Sequence, residues 1–404
     1  MSDKNFSDQL HIDTLAVHAG VDRSQYGENS EALYLTSGYV QPDAATSARR
    51  FSGEEQGYTY GRYGNPTVSS FELRLAALEG AQACISTSSG MSAVLMMIMG
   101  LLKAGDHVIC SRSMFGSTIK LVSDFARYGV ESSFVSQTDA SEWQAAVRRN
   151  TKLLFAETPT NPLTDVCDIR ALADIAHNAG ALLAVDNCFC TPALQRPIAL
   201  GADLVMHSGT KYLDGQGRVV AGALCGTQKH IDELFMPVLR SAGMTLAPFN
   251  AWVVLKGLET LSIRMQAQSQ RALELAQWLQ DQPQVARVYY SALDSHPQHE
   301  LAMAQQSGQG GAVLAFDVRA TDPEQARTRA FAVLDAVHTI SLCTNLGDVK
   351  TLASHPPSTS HGRLTEAQRQ AAGIGQGLIR VSVGLENVQD LKADLARALD
   401  AGGK

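Results

Sequence analysis

The chain has 404 residues, 45% of them hydrophobic and 18% charged, with a formal net charge of −7 at pH 7. That length exceeds what one hydrophobic core serves, so roughly two or three domains are expected. No basic cluster is interleaved with aromatics, no apolar run is long enough to span a bilayer, and the start MSDKNFSDQL is polar; the expectation is no nucleic acid, no membrane, no secretory leader, and a cytoplasmic location.

The first fifty-odd residues are polar and irregular, with a short strand expected at 32–39. From residue 81 the chain alternates: strand 83–86, apolar helix 92–102, strand 107–110, helix 117–128 and strand 130–135. Asp139-Ala140-Ser141-Glu142 then opens an amphipathic helix with N-cap chemistry. Short apolar strands follow at 152–157, 182–186 and 204–207, with a helix at 169–179 between the first two. Strands alternating with such helices mean a mostly parallel sheet covered on both faces, an α/β fold. Beyond residue 250 the pattern changes. One long helix or two with a break occupy 250–279, then strands 285–290 and 312–318, helix 323–334, strand 378–383 and helix 388–401, a smaller α+β domain.

The seven cysteines are scattered, mostly in apolar runs, as in a reducing compartment. Cys188 and Cys190 form C-x-C, but no second Cys/His pair stands at zinc-ligand spacing, so buried thiols are expected and no metal. His296/His299 and His355/His361 lie near prolines and read as loop histidines.

Parallel sheets bind ligands at the carboxyl ends of their strands, and the polar clusters fall there. Ser208-Gly209-Thr210-Lys211-Tyr212 follows an apolar strand. A lysine at a sheet mouth loses its proton by desolvation and forms an imine with an aldehyde such as pyridoxal phosphate (PLP), whose phosphate suits Ser208 and Thr210; the alternative is a surface loop lysine. Asp186 ends an earlier strand and is able to pair with a pyridine nitrogen, although strand-end aspartates are often helix caps. Ser88-Ser89-Gly90-Met91-Ser92 is a strand-to-helix turn whose free N–H groups favour an anion, a weak signal alone. Tyr60 and Arg62, two apart in YGRYGNPT, face one phosphate or simply form a loop.

In this order, YGRYGNPT, SSGMSA, ETPTNP, AVDNCFCTP, HSGTKYLDG, FNAWVVLKGLETL and LIRVSVGLE resemble the Cys/Met-metabolism family of PLP enzymes over nearly the whole chain. That family contains cystathionine γ-synthase, cystathionine lyases, methionine γ-lyase and homoserine-ester sulfhydrylases. The resemblance implies PLP fold type I, aspartate-aminotransferase-like, in a homotetramer with active sites shared between subunits. It also implies an N-terminal arm at 1–60 that contributes to a neighbouring subunit, a PLP-binding large domain at 61–258 and a small domain at 259–404. Lys211 matches the cofactor-bearing lysine and Asp186 the pyridinium partner. Gly90 and Met91 match the backbone phosphate donors, joined by Ser208 and Thr210. Tyr60 and Arg62 match the pair that reaches a neighbour's phosphate, and Asn161 the residue near the cofactor's 3′-oxygen. Arg380 matches the arginine that holds the substrate α-carboxylate; without the family it reads as a partly buried salt-bridge partner.

One departure narrows the reaction. Many relatives carry a ring-stacking tyrosine where this chain has Phe115, which stacks but has no hydroxyl for acid catalysis. Expelling a thiolate suffers from that loss more than expelling a carboxylate. Ser117 stands where many methionine γ-lyases have a reactive cysteine. The loops 214–218 and 344–350 look most like those of members that use O-succinylhomoserine and sulfide, and loop 354–361 is similar in sulfhydrylases and γ-lyases. The implied reaction is γ-replacement giving homocysteine and succinate in methionine biosynthesis, with Lys211 as the repeated proton carrier. Cystathionine γ-synthesis, methionine γ-elimination and an inactive PLP-binding scaffold are the alternatives. Retention of Lys211, Asp186, Tyr60, Arg62 and Arg380 speaks against the scaffold. The cation for a distal succinyl carboxylate stays open among Arg49, Arg112 and Arg218.

Overall fold

Strand-forming runs that are apolar on both faces can only sit inside a covered sheet, and those of the first half do so. The computed structural model describes residues 10–362 and 365–403, so the first nine residues of the expected arm lie outside it. Its strands β1 Ala83–Thr87, β2 His107–Ser111, β3 Glu131–Val135, β4 Thr151–Glu157, β5 Leu182–Asp186, β6 Leu204–Ser208 and β7 Gly222–Gly226 form one sheet. Their order is β1-β7-β6-β5-β4-β2-β3. The pairs β2–β3, β2–β4, β4–β5 and β5–β6 are parallel, whereas β7 runs antiparallel to both β1 and β6.

Helices cover both faces. On one, Met96, Met97 and Ile98 of helix Gly90–Leu101 pack with Ile85, Val108, Leu204 and Phe235. On the other, Trp143, Ile169, Leu172 and Ala176 pack with Ile109, Leu154, Leu183 and Val185. Trp143 is fully buried, and its indole N–H donates to Ser136 O at 2.8 Å. Burying such a side chain stabilises by about 2–3 kcal/mol, provided the polar end is satisfied. The sheet order reverses between β4 and β2, which leaves a crevice at the carboxyl ends of β2, β4, β5 and β6.

A second sheet contains β8 Val285–Tyr289, β9 Val313–Val318, β10 Ser341–Leu342, β11 Leu352–Ser354 and β12 Leu378–Ser382, in the order β10-β11-β12-β9-β8. Helices Leu261–Gln280, Pro323–Ala336 and Val388–Gly402 pack against it through Leu275, Leu279, Val333, Leu395 and Leu399. The molecule is thus α/β with a mostly parallel large sheet and a smaller second sheet. No helix among the described residues is long and apolar enough to cross a membrane.

Several expectations need correction. Residues 32–39 form no strand; a lone bridge joins Gly38 to Tyr60. Leu35 is 70% exposed there and Tyr34 N–H donates to Thr67 Oγ1, so no neighbouring strand and no buried face stabilise an extended run. The helix expected at 117–128 is α-helical over Gly116–Asp124 and finishes as a 3₁₀ turn at Phe125–Tyr128, ended by Gly129 in the left-handed region. The stretch 250–279, expected as one long helix or two with a break, takes the second form, Pro248–Leu258 and Leu261–Gln280. The antiparallel β7 was not foreseen, because GALCG has no β-branched residue and no alternation. All seven cysteines are free, five of them buried.

Candidate functional site

Each parallel strand delivers its last polar residue to the same crevice. β6 ends at Ser208, and the turn after it closes with the Lys211 N–H donating to Ser208 O at 3.2 Å. The Lys211 side chain is partly buried, and its ammonium donates to Asn345 Oδ1. Burial, and after it the charge of Arg380, holds this amine below its ordinary pKa. Gly347, at φ +84°, presses on the same turn: a Cβ there would lie 2.9 Å from Lys211 Cα and 2.6 Å from Tyr212 N. A side chain at Gly347 would displace the lysine.

One strand over, Asp186 ends β5 and is buried. Its Oδ1 accepts the Cys188 N–H at 3.0 Å, and the Cys188 side chain also lies against the carboxylate. Burial raises its pKa, and His207 and Lys211 act the other way. A further strand over, Glu157 ends β4 in register with Asp186. Burial, then the Asp186 charge, pushes Glu157 well above the carboxylate range. Its oxygens accept the Phe115 N–H at 2.8 Å and the Asn161 N–H at 3.1 Å. Glu157 therefore fixes two of the anticipated site residues, a role that sequence spacing does not reveal.

Behind this row lies a buried polar network. Glu79 Oε1 contacts His207 Nε2 at 2.6 Å and accepts from Asn187 Nδ2 at 3.0 Å; Asn187 also donates to Gln195 O at 2.8 Å. His207 and Asn187 flank Ser208 and Asp186 in the chain, so the network locks the two strand ends that carry the site. Cys188 adds a contact, its Sγ accepting the Ser208 N–H at 2.8 Å.

Arg380 comes from the second sheet, mid-strand in β12 and only 1% exposed. Its guanidinium donates to Thr344 O at 3.0 Å, Asn345 O at 2.8 Å and Asn161 Oδ1 at 3.4 Å. Nε is buried without a partner, and no carboxylate pairs with the group among the described residues. Burial lowers its pKa to about 10. The salt-bridge reading of Arg380 therefore fails. A buried cation without a counter-ion is costly, and the fork is open to a carboxylate.

The anion cradle is glycine-built. Ser89 caps helix Gly90–Leu101, its Oγ accepting the Ser92 N–H at 3.1 Å. A Cβ on Gly90 would stand 2.9 Å from Ser208 Cβ, so glycine alone lets the helix N-terminus approach Ser208. Met91 follows in the first turn, and its Sδ accepts the Thr118 hydroxyl at 3.8 Å. Thr210 behaves differently: its hydroxyl pairs with Ala221, accepting from N–H at 3.1 Å and donating to O at 3.3 Å. Phe115 is partly buried at the entry to helix Gly116–Asp124.

Tyr60 and Arg62 stand apart. Tyr60 is 41% exposed, and the Arg62 guanidinium lies 5.2 Å from the Tyr60 ring centre and 4.8 Å from that of Tyr63. Arg62 donates to Arg240 O, and neither residue bonds to Gly90, Ser208 or Lys211 within the described residues. Of the three cations considered for a distal carboxylate, Arg49 pairs with Glu55, Arg218 with Asp214 and Arg112 with Glu142. Arg112 alone of these lines the cleft that also holds Asn161, Gly116 and His361.

The residues fit PLP. A lysine amine whose pKa is lowered by burial, a buried carboxylate and a cradle that a Cβ would fill match its aldehyde, ring nitrogen and phosphate. The comparisons with known proteins agree. A family model for "Cys/Met metabolism PLP-dependent enzyme" matches residues 13–400. The chain is 56% identical to O-succinylhomoserine sulfhydrylase of Pseudomonas aeruginosa, over 96% of this chain and 95% of that one. It is 46% identical to the enzyme of the same name from Mycobacterium tuberculosis, over 98% and 97%. Among solved structures, Campylobacter jejuni metY carries the provisional name O-acetylhomoserine (thiol)-lyase and contains N'-pyridoxyl-lysine-5'-monophosphate. It superposes with a TM-score of 0.92 at 32% identity, over 97% of this chain and 100% of that one.

Proposed function

The chain belongs to the Cys/Met-metabolism family of PLP-dependent enzymes, and we propose that it converts O-succinyl-L-homoserine and sulfide to L-homocysteine and succinate. The observation that carries the reading is Asn345. Its side chain accepts from the Lys211 ammonium and its carbonyl from Arg380 at 2.8 Å, so one residue sets the spacing between a proton carrier and a carboxylate anchor. That spacing suits an α-amino acid whose Cα proton must reach Lys211 while Arg380 holds its carboxylate.

Bound PLP supplies an electron sink for the pair left when the Cα proton departs. Lys211 would carry it from Lys211 Nζ. Asp186 would keep a proton on the pyridine nitrogen, and the N–H groups of Gly90 and Met91 with the Ser208 hydroxyl would hold the phosphate. Thr210 assists through the Ala221 backbone. Asn161, positioned by Glu157, would serve the ring's 3′-oxygen. Lys211 would take the Cα proton and pass it on to the bound electron sink, which frees its amine to take one from Cβ; the Cγ–O bond to succinate then breaks, and hydrosulfide forms the Cγ–S bond. Lys211 then returns protons to carbon. Phe115 stacks without donating a proton, which a departing carboxylate tolerates.

Arg112 lines the cleft next to Asn161 and is assigned to the distal succinyl carboxylate. Tyr60 and Arg62, exposed and unconnected to their own Lys211, are assigned to the phosphate of a neighbouring subunit in a homotetramer. The arm at 1–60, the large domain at 61–258 and the small domain at 259–404 are the matching division, and the cytoplasm is the assigned location. The test is homocysteine formation from O-succinyl- and O-acetyl-homoserine with sulfide, with cysteine as a parallel nucleophile. Faster turnover of the succinyl ester with sulfide is expected; cystathionine as the main product would overturn the assignment.

A further inference from the structure

A cavity of about 440 Å³ opens along β8, the edge strand of the smaller sheet. It shares Leu163 and Asp165 as a wall with the Arg112 cleft but contains none of the residues assigned to catalysis. Its volume lies in the range of small-molecule sites, roughly 300–1,000 Å³. Most of its polar lining is already engaged. Tyr289 donates its hydroxyl to Asp317 at 2.8 Å, and Arg319 donates to Pro283 O at 3.0 Å and Val285 O at 2.9 Å. His296 accepts from the Gln298 N–H at 3.2 Å and is kept neutral, burial lowering its pKa to about 4.

Two groups of opposite charge are left over. The Asp165 carboxylate accepts no hydrogen bond among the described residues, although it is mostly buried and burial pushes its pKa to about 6. Arg287 makes no ion pair among the described residues; its guanidinium stacks 4.7 Å from the Tyr289 ring centre. Arg287 is near enough to pull the Asp165 pKa back down, yet the two do not meet. Leu163, Val285 and Val288 supply apolar wall between them. One unpaired anion, one unpaired cation and an apolar surface match the ammonium, carboxylate and side chain of a single ligand.

We propose that this cavity is a second, non-catalytic site that binds a free α-amino acid with an apolar side chain, its carboxylate on Arg287 and its ammonium on Asp165. Asp165 also closes the turn that carries Asn161, accepting the Thr160 N–H on its carbonyl at 3.0 Å and donating its own N–H to Thr160 Oγ1 at 3.1 Å. The cavity is therefore linked through this turn to the loop that carries Asn161.

L-Leucine, which has no leaving group at Cγ, is the probe. It is titrated into the holoenzyme while heat and cofactor absorbance are followed together. An amino acid entering the catalytic pocket perturbs the absorbance, whereas one held along β8 does not. The expected result is one equivalent per chain bound without absorbance change. Arg287→Gln and Asp165→Asn should each weaken that phase by about tenfold or more, as should replacing leucine by isovalerate or isoamylamine, which lack one charge. Arg287 is exposed, so its substitution leaves folding intact. The proposal is overturned if leucine heat appears only together with the absorbance change, if no heat appears, or if Arg287→Gln binds leucine as the wild type does. Sulfhydrylation of O-succinylhomoserine, measured on the same preparations, reports separately on the catalytic assignment.

Discussion

The two ends of the proposed cofactor site are held in opposite ways. At one end Lys211, Asp186 and Arg380 are wholly or partly buried, tied to Asn345, Cys188 and the carbonyls of Thr344 and Asn345. At the other, Tyr60 is 41% exposed and Arg62 is held by two aromatic rings and one carbonyl. Burying Arg380 without a counter-ion costs several kcal/mol, so its fork makes sense only for a ligand that brings the charge. An exposed Tyr–Arg pair costs almost nothing and recognises nothing until a surface covers it. The first end is assembled from one chain, whereas the second carries the pair assigned above to a neighbouring subunit.

The largest expected effect breaks the complete end. Lys211→Ala should lower turnover by about 10³-fold or more, the scale of losing a positioned general base, and abolish the cofactor's lysine-dependent absorbance. Retained turnover would remove Lys211 from the chemistry. Arg380→Gln comes next. It should reduce kcat/KM by about 10²-fold, chiefly through KM, because a bidentate charge-assisted contact is lost. Its thermal unfolding midpoint should not fall, since the variant relieves an unpaired buried charge; a clear drop would return Arg380 to a structural role.

The contrast also explains what was legible in sequence. Asp186 ends a short apolar strand and Lys211 follows another by three residues, and a strand that runs into a charged residue advertises a sheet mouth. Gly90 was readable because a helix N-terminus needs a small residue to approach a ligand. Arg380 was not: its assigned role rested on family resemblance, and the lack of a paired carboxylate among the described residues became visible only when β12 was placed between β9 and β11. The Glu79–His207 contact joins residues 128 positions apart and has no local signature. The stretch 32–39 misled because a short run does not make a strand when no partner edge is available. Thr210 reads in sequence as a free hydroxyl beside Ser208, yet that hydroxyl is engaged by Ala221.

A subunit-mixing experiment sharpens the comparison. Arg62→Gln should impair activity alone, and Lys211→Ala should be inactive alone. If the exposed pair serves a neighbour, mixed assemblies contain sites with both wild-type residues, and about a quarter of sites should recover on random pairing. No recovery would confine Arg62 to its own chain and make the exposed end as self-contained as the buried one.

The smallest effect concerns Arg112, which lies between the two extremes: half exposed, with a side-chain relative exposure of 48%, and already paired with Glu142. An exposed ion pair is worth about 0–1 kcal/mol, so exchanging Glu142 for a substrate carboxylate is nearly neutral and leaves the ester's own contact to decide. Glu142 would not be stranded, because its carboxylate also accepts the Ser136 N–H at 2.8 Å. Arg112→Gln should therefore raise KM for O-succinylhomoserine by about tenfold or less, the equivalent of up to ~1.4 kcal/mol, while kcat stays near wild type. O-Acetylhomoserine, which lacks the distal carboxylate, should show no change in KM. An equal rise for both esters would mean that Arg112 shapes the loop before Phe115 and does not read the acyl group.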